Sequence, residues 1–266
     1  MNGVHPLNFI LYENDTWQPV DGSITQEALV RIHVNGQELA TFMCTPREQD
    51  DLALGFLRAE GIIHGLEDVR RVVVSPSGTC VDVWLNQGDL KLPSRRIVTS
   101  GCGGGITFDD LSARHEPLNT HVTITPRQIF ARMHDLYQAA NLYRVTQGIH
   151  TSALSDGERL LLVAEDVGRH NTVDRLWGKA MKQNVPTEGL VLLATGRISS
   201  EMLGKAAKMG VPVVASRTSA TSLSVALGRA WNITVIGYVR RNSLRVYAAP
   251  QRIQSAREPA RVTRAG

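Results

Sequence analysis

Leu190-Val191-Leu192-Leu193-Ala194-Thr195-Gly196-Arg197 decides how the second half of this chain is read. A continuous apolar run is followed at once by polar residues and a glycine, as in a strand buried on both faces that ends at a site. The same pattern recurs on either side. Arg159-Leu160-Leu161-Leu162-Val163-Ala164 ends in Glu165-Asp166-Val167-Gly168-Arg169-His170-Asn171. Val211-Pro212-Val213-Val214-Ala215 gives Ser216-Arg217-Thr218-Ser219, and Ile233-Thr234-Val235-Ile236 gives Gly237-Tyr238-Val239-Arg240-Arg241-Asn242. Helical stretches over Asn171–Lys182, Ser199–Met209 and Thr221–Ala230 lie between. Strands alternating with helices predict an α/β sandwich covered on both faces, with Ser243–Ala248 as an antiparallel edge strand.

The carboxyl ends of strands form the ligand crevice of an open α/β sheet. Arg169, Arg197, Arg217 and Arg240 each follow such an end. Arginines at helix starts suit phosphate or pyrophosphate, so an anionic ligand is expected there. The chain has no GxxxxGK[ST] loop and no dinucleotide-binding GxGxxG in a βαβ setting. His150 stands in Gly148-Ile149-His150-Thr151-Ser152. A zinc deaminase would need glutamate at 152 and two later cysteines, and both are missing. No protein-ligated metal is expected.

The first half reads differently. Ala28–Val34 and Gln37–Met43 flank Asn35-Gly36, a strong hairpin signal. Thr45-Pro46 opens a helix with Leu52, Leu54, Phe56, Leu57 and Ile62 on one face. Val69–Val74 and Cys80–Leu85 flank the turn at Ser75-Pro76-Ser77-Gly78. Helices follow over Phe108–Arg114 and Thr125–Leu142, the second capped by Thr125 with Pro126 in its first turn. The expected organisation is an irregular segment over 1–23, a smaller α+β domain over 24–120, the α/β domain over 121–249 and a basic disordered tail over 250–266. The boundary falls near 115–125. The tail holds Arg252, Arg257, Arg261 and Arg264 against Glu258 and reads as a solvated end, not a nucleic-acid arm.

Thr99-Ser100-Gly101-Cys102-Gly103-Gly104-Gly105 is the other conspicuous stretch. It is either a glycine turn that carries a cysteine by chance, or a thiol presented for reaction. The three cysteines, Cys44, Cys80 and Cys102, are too few and too far apart for a disulfide framework. Cys44 and Cys80 lie in or beside strand patterns and read as structural. The 266 residues carry a net charge of +4, with 42% apolar and 20% charged residues. There is no membrane span and no secretory leader pattern. A reducing cytoplasm is the expected location.

The ordered blocks resemble the FdhD/NarQ family of formate dehydrogenase accessory sulfurtransferases. They are Val34-Asn35-Gly36, Met43-Cys44-Thr45-Pro46, Leu52–Gly61, Thr99–Gly103, Glu165–Asn171, Gly196-Arg197 with Glu201-Met202, and Ala215-Ser216-Arg217 with Thr221-Ser222-Leu223. The resemblance implies a sulfur carrier that takes persulfide sulfur from a cysteine desulfurase. It passes that sulfur to the molybdenum bis-guanine-dinucleotide cofactor of formate dehydrogenase, which is bound as substrate. It implies a cytidine-deaminase-like second domain without the deaminase zinc, and a homodimer that binds neither nucleic acid nor membrane. By position, Cys102 matches the persulfide-carrying cysteine. Tyr238, Val239, Arg240, Arg241, Asn242 and Ser243 match the segment that contacts the guanine dinucleotide, with Arg169 and Arg197 as further contacts. The chain departs from the family where Gly105 replaces the usual second loop cysteine, and where Arg241 and Asn242 replace a Gly-Gly-like turn. One thiol suffices for persulfide transfer. The alternative is a cofactor-binding chaperone without a covalent sulfur step; a weaker one is a hydrolase or deaminase relic using His150.

Overall fold

The computed structural model describes residues 3–88, 97–98, 106–107 and 115–254. The expectation of an irregular segment over 1–23 is corrected. Strands β1 (Val4–Glu13) and β2 (Thr16–Thr25) pair antiparallel in that region. Their turn is Asn14-Asp15, with φ of 50° and 59°, the left-handed pair that a two-residue hairpin turn demands. Tyr12 and Trp17 stack across it with ring centroids 4.7 Å apart. The ribbon is exposed along nearly its whole length. It has no buried face and hence no apolar alternation to read.

Strands β3 (Ala28–Val34) and β4 (Gln37–Cys44) form the hairpin expected around Asn35-Gly36, where φ is 49° and 81°. Helix α1 (Gln49–Ala59) follows, then β5 (Val69–Val74) and β6 (Cys80–Leu85) at their expected bounds. These strands form a sheet in the order β4-β3-β6-β5, with β3 and β6 parallel. Val30, Ile32, Val34, Phe42, Val81 and Val83 point to one face and pack on Leu52, Phe56 and Leu57 of α1. Two short strands, β7 (Ile97–Val98) and β8 (Ile106–Thr107), pair antiparallel.

The second half begins with α2 (Pro126–Ala139). Thr125 caps it in a reciprocal box with Gln128, and Pro126 fills the first turn, as expected. The expected single helix to Leu142 instead breaks at Ala140, and α3 (Asn141–Thr146) begins. The Leu142 and Tyr143 amides donate to the Glu165 carboxylate at 3.0 Å each, and this redirects the chain. Next come β9 (His150–Ser155), β10 (Leu160–Asp166), α4 (Arg169–Lys182) and β11 (Val191–Ala194). Then follow α5 (Ser200–Lys208), β12 (Val213–Ser216), α6 (Ser222–Ala230), β13 (Thr234–Gly237) and β14 (Arg245–Ala248). The sheet order is β10-β9-β11-β12-β13-β14, with β11, β12 and β13 parallel and β14 antiparallel at the edge.

Alternate residues of these strands feed two cores. Ala153, Val191, Leu193, Val213, Ala215 and Ile236 pack with Ile129, Met133 and Leu136 of α2. Leu154, Leu192, Ala194, Val214 and Val235 pack with α4 and α5 on the other face. Both faces are therefore dry, which is why these strands read as unbroken apolar runs. Each fully buried leucine here contributes about 1.5–3 kcal/mol relative to exposure.

The two halves are joined at two places. Helices α1 and α4 cross where Gly55 faces the Asp174 carbonyl and Gly178 faces the Asp51 carbonyl. A Cβ on either glycine would lie 1.7 Å or 2.0 Å from that oxygen. Beside this crossing, Arg175 is completely buried. It donates to the carbonyls of Thr45, Arg47 and Glu48 and to Asp166. Asn171 donates to the Met43 carbonyl at 3.0 Å, and Thr45 N donates to Asp166 Oδ2 at 3.2 Å. These bonds hold residues 45–48 out of the helix that Thr45-Pro46 was expected to open. Glu48 takes a left-handed φ of 46°, and α1 starts only at Gln49.

Candidate functional site

The connection from β13 to β14 carries the expected ligand segment. Tyr238 takes a left-handed φ of 51° and donates its N–H to the Thr218 carbonyl at 2.9 Å. Val239 N–H donates to the Ser216 carbonyl at 3.0 Å, so the segment is stitched to the end of β12. Arg240 Nη1 donates to the Arg217 carbonyl, and Arg217 Nη1 to the Val239 carbonyl at 3.1 Å. The guanidinium carbons of Arg240 and Arg245 lie 5.5 Å and 4.3 Å from the Tyr238 ring centroid, at cation–π distance. Arg241, Asn242 and Ser243 are exposed.

Two cavities open along these strand ends. One, of 460 Å³, is lined by Tyr137, Tyr143, His150, Thr195, Arg217 and Thr218, among others. The other, of 250 Å³, is lined by Phe130, His134, Tyr137, Arg217, Arg240 and Arg241, among others. Tyr137 and Arg217 line both, with the guanidinium 5.9 Å from the ring centroid. Burial pushes the Tyr137 hydroxyl pKa up, against the pull of Arg217. Burial, with the Arg169 charge adding to it, pushes the His150 imidazole pKa down, so it is neutral at pH 7. The result is a groove with aromatic walls and arginines along it, suited to flat rings and anionic groups.

The other expected contacts divide. Arg197 is exposed, two residues beyond Thr195, and is in the lining of neither cavity. Arg169 is 5% exposed and lies beneath the rim, where Gly196 leaves room for it; a Cβ at 196 would sit 2.8 Å from that of Arg169. Its neighbour His170 donates to or accepts from Ser199 Oγ at 2.7 Å and meets Glu201 at 3.1 Å. Glu201 meets Lys205 at 3.3 Å, and Lys205 meets Asp174 at 2.7 Å. Glu165–Asn171 therefore braces the fold more than it lines the groove. Tyr137 and Tyr143 were missed in the sequence because they reach the groove only through the break at Ala140.

Cys102 and Gly105 lie outside the described residues, as does the helix expected over Phe108–Arg114. The chain on either side of 99–105 is held by the pairing of Val98 with Ile106. The two described cysteines are poor nucleophiles. Cys44 is buried, and its thiol is pushed up to about 12 by burial and then by Asp166. Cys80 is also pushed up, by burial and then by Asp82. A reactive thiol needs the opposite surroundings.

The profile of the FdhD/NarQ family matches residues 25–254 of this chain. The chain belongs to the FdhD/NarQ family. Among FdhD relatives, the sulfur carrier protein FdhD of Staphylococcus haemolyticus strain JCSC1435 is 36% identical over 248 residues, covering 91% of this chain and 94% of its own. That of Staphylococcus aureus strain MRSA252 is 35% identical over 249 residues, covering 92% and 94%. A solved structure from Desulfotalea psychrophila, described as a formate dehydrogenase accessory protein, superposes with a TM-score of 0.79 at 25% identity. It covers 94% of this chain and 99% of its own. The mixed α/β architecture is thus that of an FdhD-type accessory protein. Among the described residues, no helix is long and apolar enough to cross a membrane.

Proposed function

We propose that this chain is a sulfurtransferase. Cys102 takes persulfide sulfur from a cysteine desulfurase and passes it to the molybdenum bis-guanine-dinucleotide cofactor, which activates formate dehydrogenase. The observation that carries the reading is family membership across 25–254, with relatives named as sulfur carriers. The thiols themselves support it. Cys44 and Cys80 are both held protonated, and Cys102 is the remaining cysteine of the chain.

In the loading step, the Cys102 thiolate attacks the terminal sulfur of the desulfurase persulfide. A new S–S bond forms on Cys102, the donor's S–S bond breaks, and the donor leaves as a thiolate. No net oxidation occurs. Delivery of that sulfur as sulfide takes two electrons, which a thiol reductant supplies. The cofactor, as substrate, would lie along the groove at the ends of β11, β12 and β13. Arg240 with Arg241, and Arg197 at the side, would meet its pyrophosphates, and Tyr238, Val239, Asn242 and Ser243 would shape the guanine end. Arg169 would act from beneath, through the charge it adds to the rim.

The same reading gives the second half a cytidine-deaminase-like three-layer sandwich. Its support is the layering of α2, sheet and α4–α6, with β9 antiparallel between β10 and β11. It places the protein in the cytoplasm as a homodimer. Exposed apolar side chains on the β1–β2 ribbon, Ile10 at 61% and Trp17 at 72%, support a covering partner.

The test is complementation. In a strain that lacks its own accessory protein, the wild type restores formate dehydrogenase activity and Cys102→Ala does not. A Cys102→Ala variant that restores full activity would favour a chaperone that binds the cofactor without a covalent sulfur step.

A further inference from the structure

The face of the sheet β4-β3-β6-β5 turned away from α1 carries a second cluster of reactive side chains. Val30, Ile32, Val81 and Val83 fill the core, so the alternate residues Arg31 and His33 of β3 and Cys80 and Asp82 of β6 face outward. The parallel register sets Arg31 beside Cys80 and His33 beside Asp82. Cys80 Sγ lies 3.1 Å from His33 Nδ1 and 3.8 Å from Asp82 Oδ2. His33 Nδ1 is 3.8 Å from Asp82 Oδ1.

A sulfur, an imidazole nitrogen and a carboxylate therefore converge, with one donor atom from each within 4.8 Å of the others. Around a tetrahedral ion with bonds of 2.0–2.3 Å, donor atoms stand about 3.3–3.7 Å apart, so small side-chain adjustments suffice. The backbone of two paired strands holds all three donors, which keeps the geometry rigid. The side chains of His33 and Asp82 are 21% and 37% exposed, so an ion reaches them without opening the core.

The charges around the cluster point the same way. Glu38 stands opposite His33 on β4, adding a second carboxylate to Asp82, while Arg31 is the facing cation. A divalent cation held between them would cancel this carboxylate charge.

We infer that His33, Cys80 and Asp82 bind a thiophilic divalent cation of the zinc class, with Glu38 or a water in the fourth position. Sulfur and imidazole donors select such an ion over magnesium or calcium. Binding exchanges the Cys80 proton for the metal, forming one S–metal bond and releasing one proton to solvent, with no change of oxidation state. The ion ties β3 to β6. It also occupies Cys80, which leaves Cys102 as the thiol open to sulfur; only this last consequence rests on the sulfur-carrier reading. The assignment departs from the sequence expectation of no protein-ligated metal, which weighed His150 but not residues joined across strands.

The test uses the full-length reduced protein, stripped of metal and titrated with cobalt(II), then with zinc in competition. One equivalent of cobalt should bind with a thiolate-to-cobalt charge-transfer band. Cys80→Ala should abolish the band. His33→Ala should weaken binding at least about 100-fold, beyond the 10–100-fold typical of losing an outer partner. Cys102→Ala should keep the band. Should Cys80→Ala fail to fold by circular dichroism, Asp82→Asn preserves the shape and should show the same weakening as His33→Ala. A band that survives in Cys80→Ala, a band lost in Cys102→Ala, or a wild type that binds no stoichiometric cobalt would each overturn the assignment. Persulfide loading of Cys102, measured separately by mass, shows whether the sulfur-carrier reading fails on its own.

Discussion

Arg175 turns two N–H donors onto one oxygen, Oδ2 of Asp166, at 2.9 Å and 2.5 Å, with both side chains fully buried. The remaining donors of the guanidinium meet carbonyls of the other half of the molecule. Arg175 thus fastens the end of β10 to the turn before α1. Removing it leaves Asp166 charged, buried and without its strongest partner. Arg175→Ala should lose about 3–5 kcal/mol of stability, read from the denaturant midpoint. Arg175→Lys should lose nearly as much, because an ammonium cannot reproduce the fork. A lysine variant as stable as wild type would show that charge alone, not geometry, makes the joint.

The crossing of α1 and α4 makes a second mechanical prediction. Gly178→Ala places a methyl 2.0 Å from the Asp51 carbonyl oxygen, and Gly55→Ala one 1.7 Å from that of Asp174. Backbone cannot yield as a side-chain tip does, so the helices must move apart. Each variant should lose at least about 1–3 kcal/mol and melt at a lower temperature. Gly204→Ala, in α5 with open space around it, serves as the control and should be neutral or stabilising by up to about 1 kcal/mol.

How much of this was legible in the sequence follows from where the information lies. Asn35-Gly36 and Thr125-Pro126 carry their structure in two adjacent residues, and both appear where expected. Val191–Ala194 reads as buried because both neighbouring layers are apolar. The β1–β2 ribbon was missed because it has no buried face, although Asn14-Asp15 is itself a turn signal. The joint at Arg175 was missed because its partners lie far away in sequence, at Thr45, Arg47 and Glu48. For the same reason Glu165–Asn171 looked like a ligand loop. Its Asp166 and Asn171 in fact grip the first half of the chain.

His170 gives a pH prediction. Burial pushes it down to about 4 from the ordinary 6.5, outweighing the pull of Glu201. Between those values the unfolded chain takes up the proton and the folded chain does not. Stability is therefore fully present above pH 6.5 and is lost as pH falls toward 4. From pH 7.5 to pH 5 this group should remove about 2 kcal/mol. His170→Gln keeps a partner for Ser199 but cannot be protonated, so its denaturation midpoint should fall less over that interval. Parallel curves for the two proteins would contradict the assignment.

The groove makes a binding prediction. If Arg240 meets the pyrophosphate, Arg240→Ala should weaken binding of a guanine dinucleotide about tenfold or more, the worth of one charge-assisted hydrogen bond. Calorimetry measures it. Sulfur loading of Cys102 should be unchanged, because the thiol and the groove serve different steps. Equal affinity in the variant would remove Arg240 from the site.

The central claim is that one thiol, Cys102, carries the sulfur, with glycine and not a second cysteine at position 105. The direct measurement is intact mass after incubation with a cysteine desulfurase and free cysteine. The account predicts a gain of one sulfur atom on the wild type, removed by a thiol reductant and absent from Cys102→Ala. A wild type that gains no sulfur, or a Cys102→Ala protein that still gains it, would contradict the account.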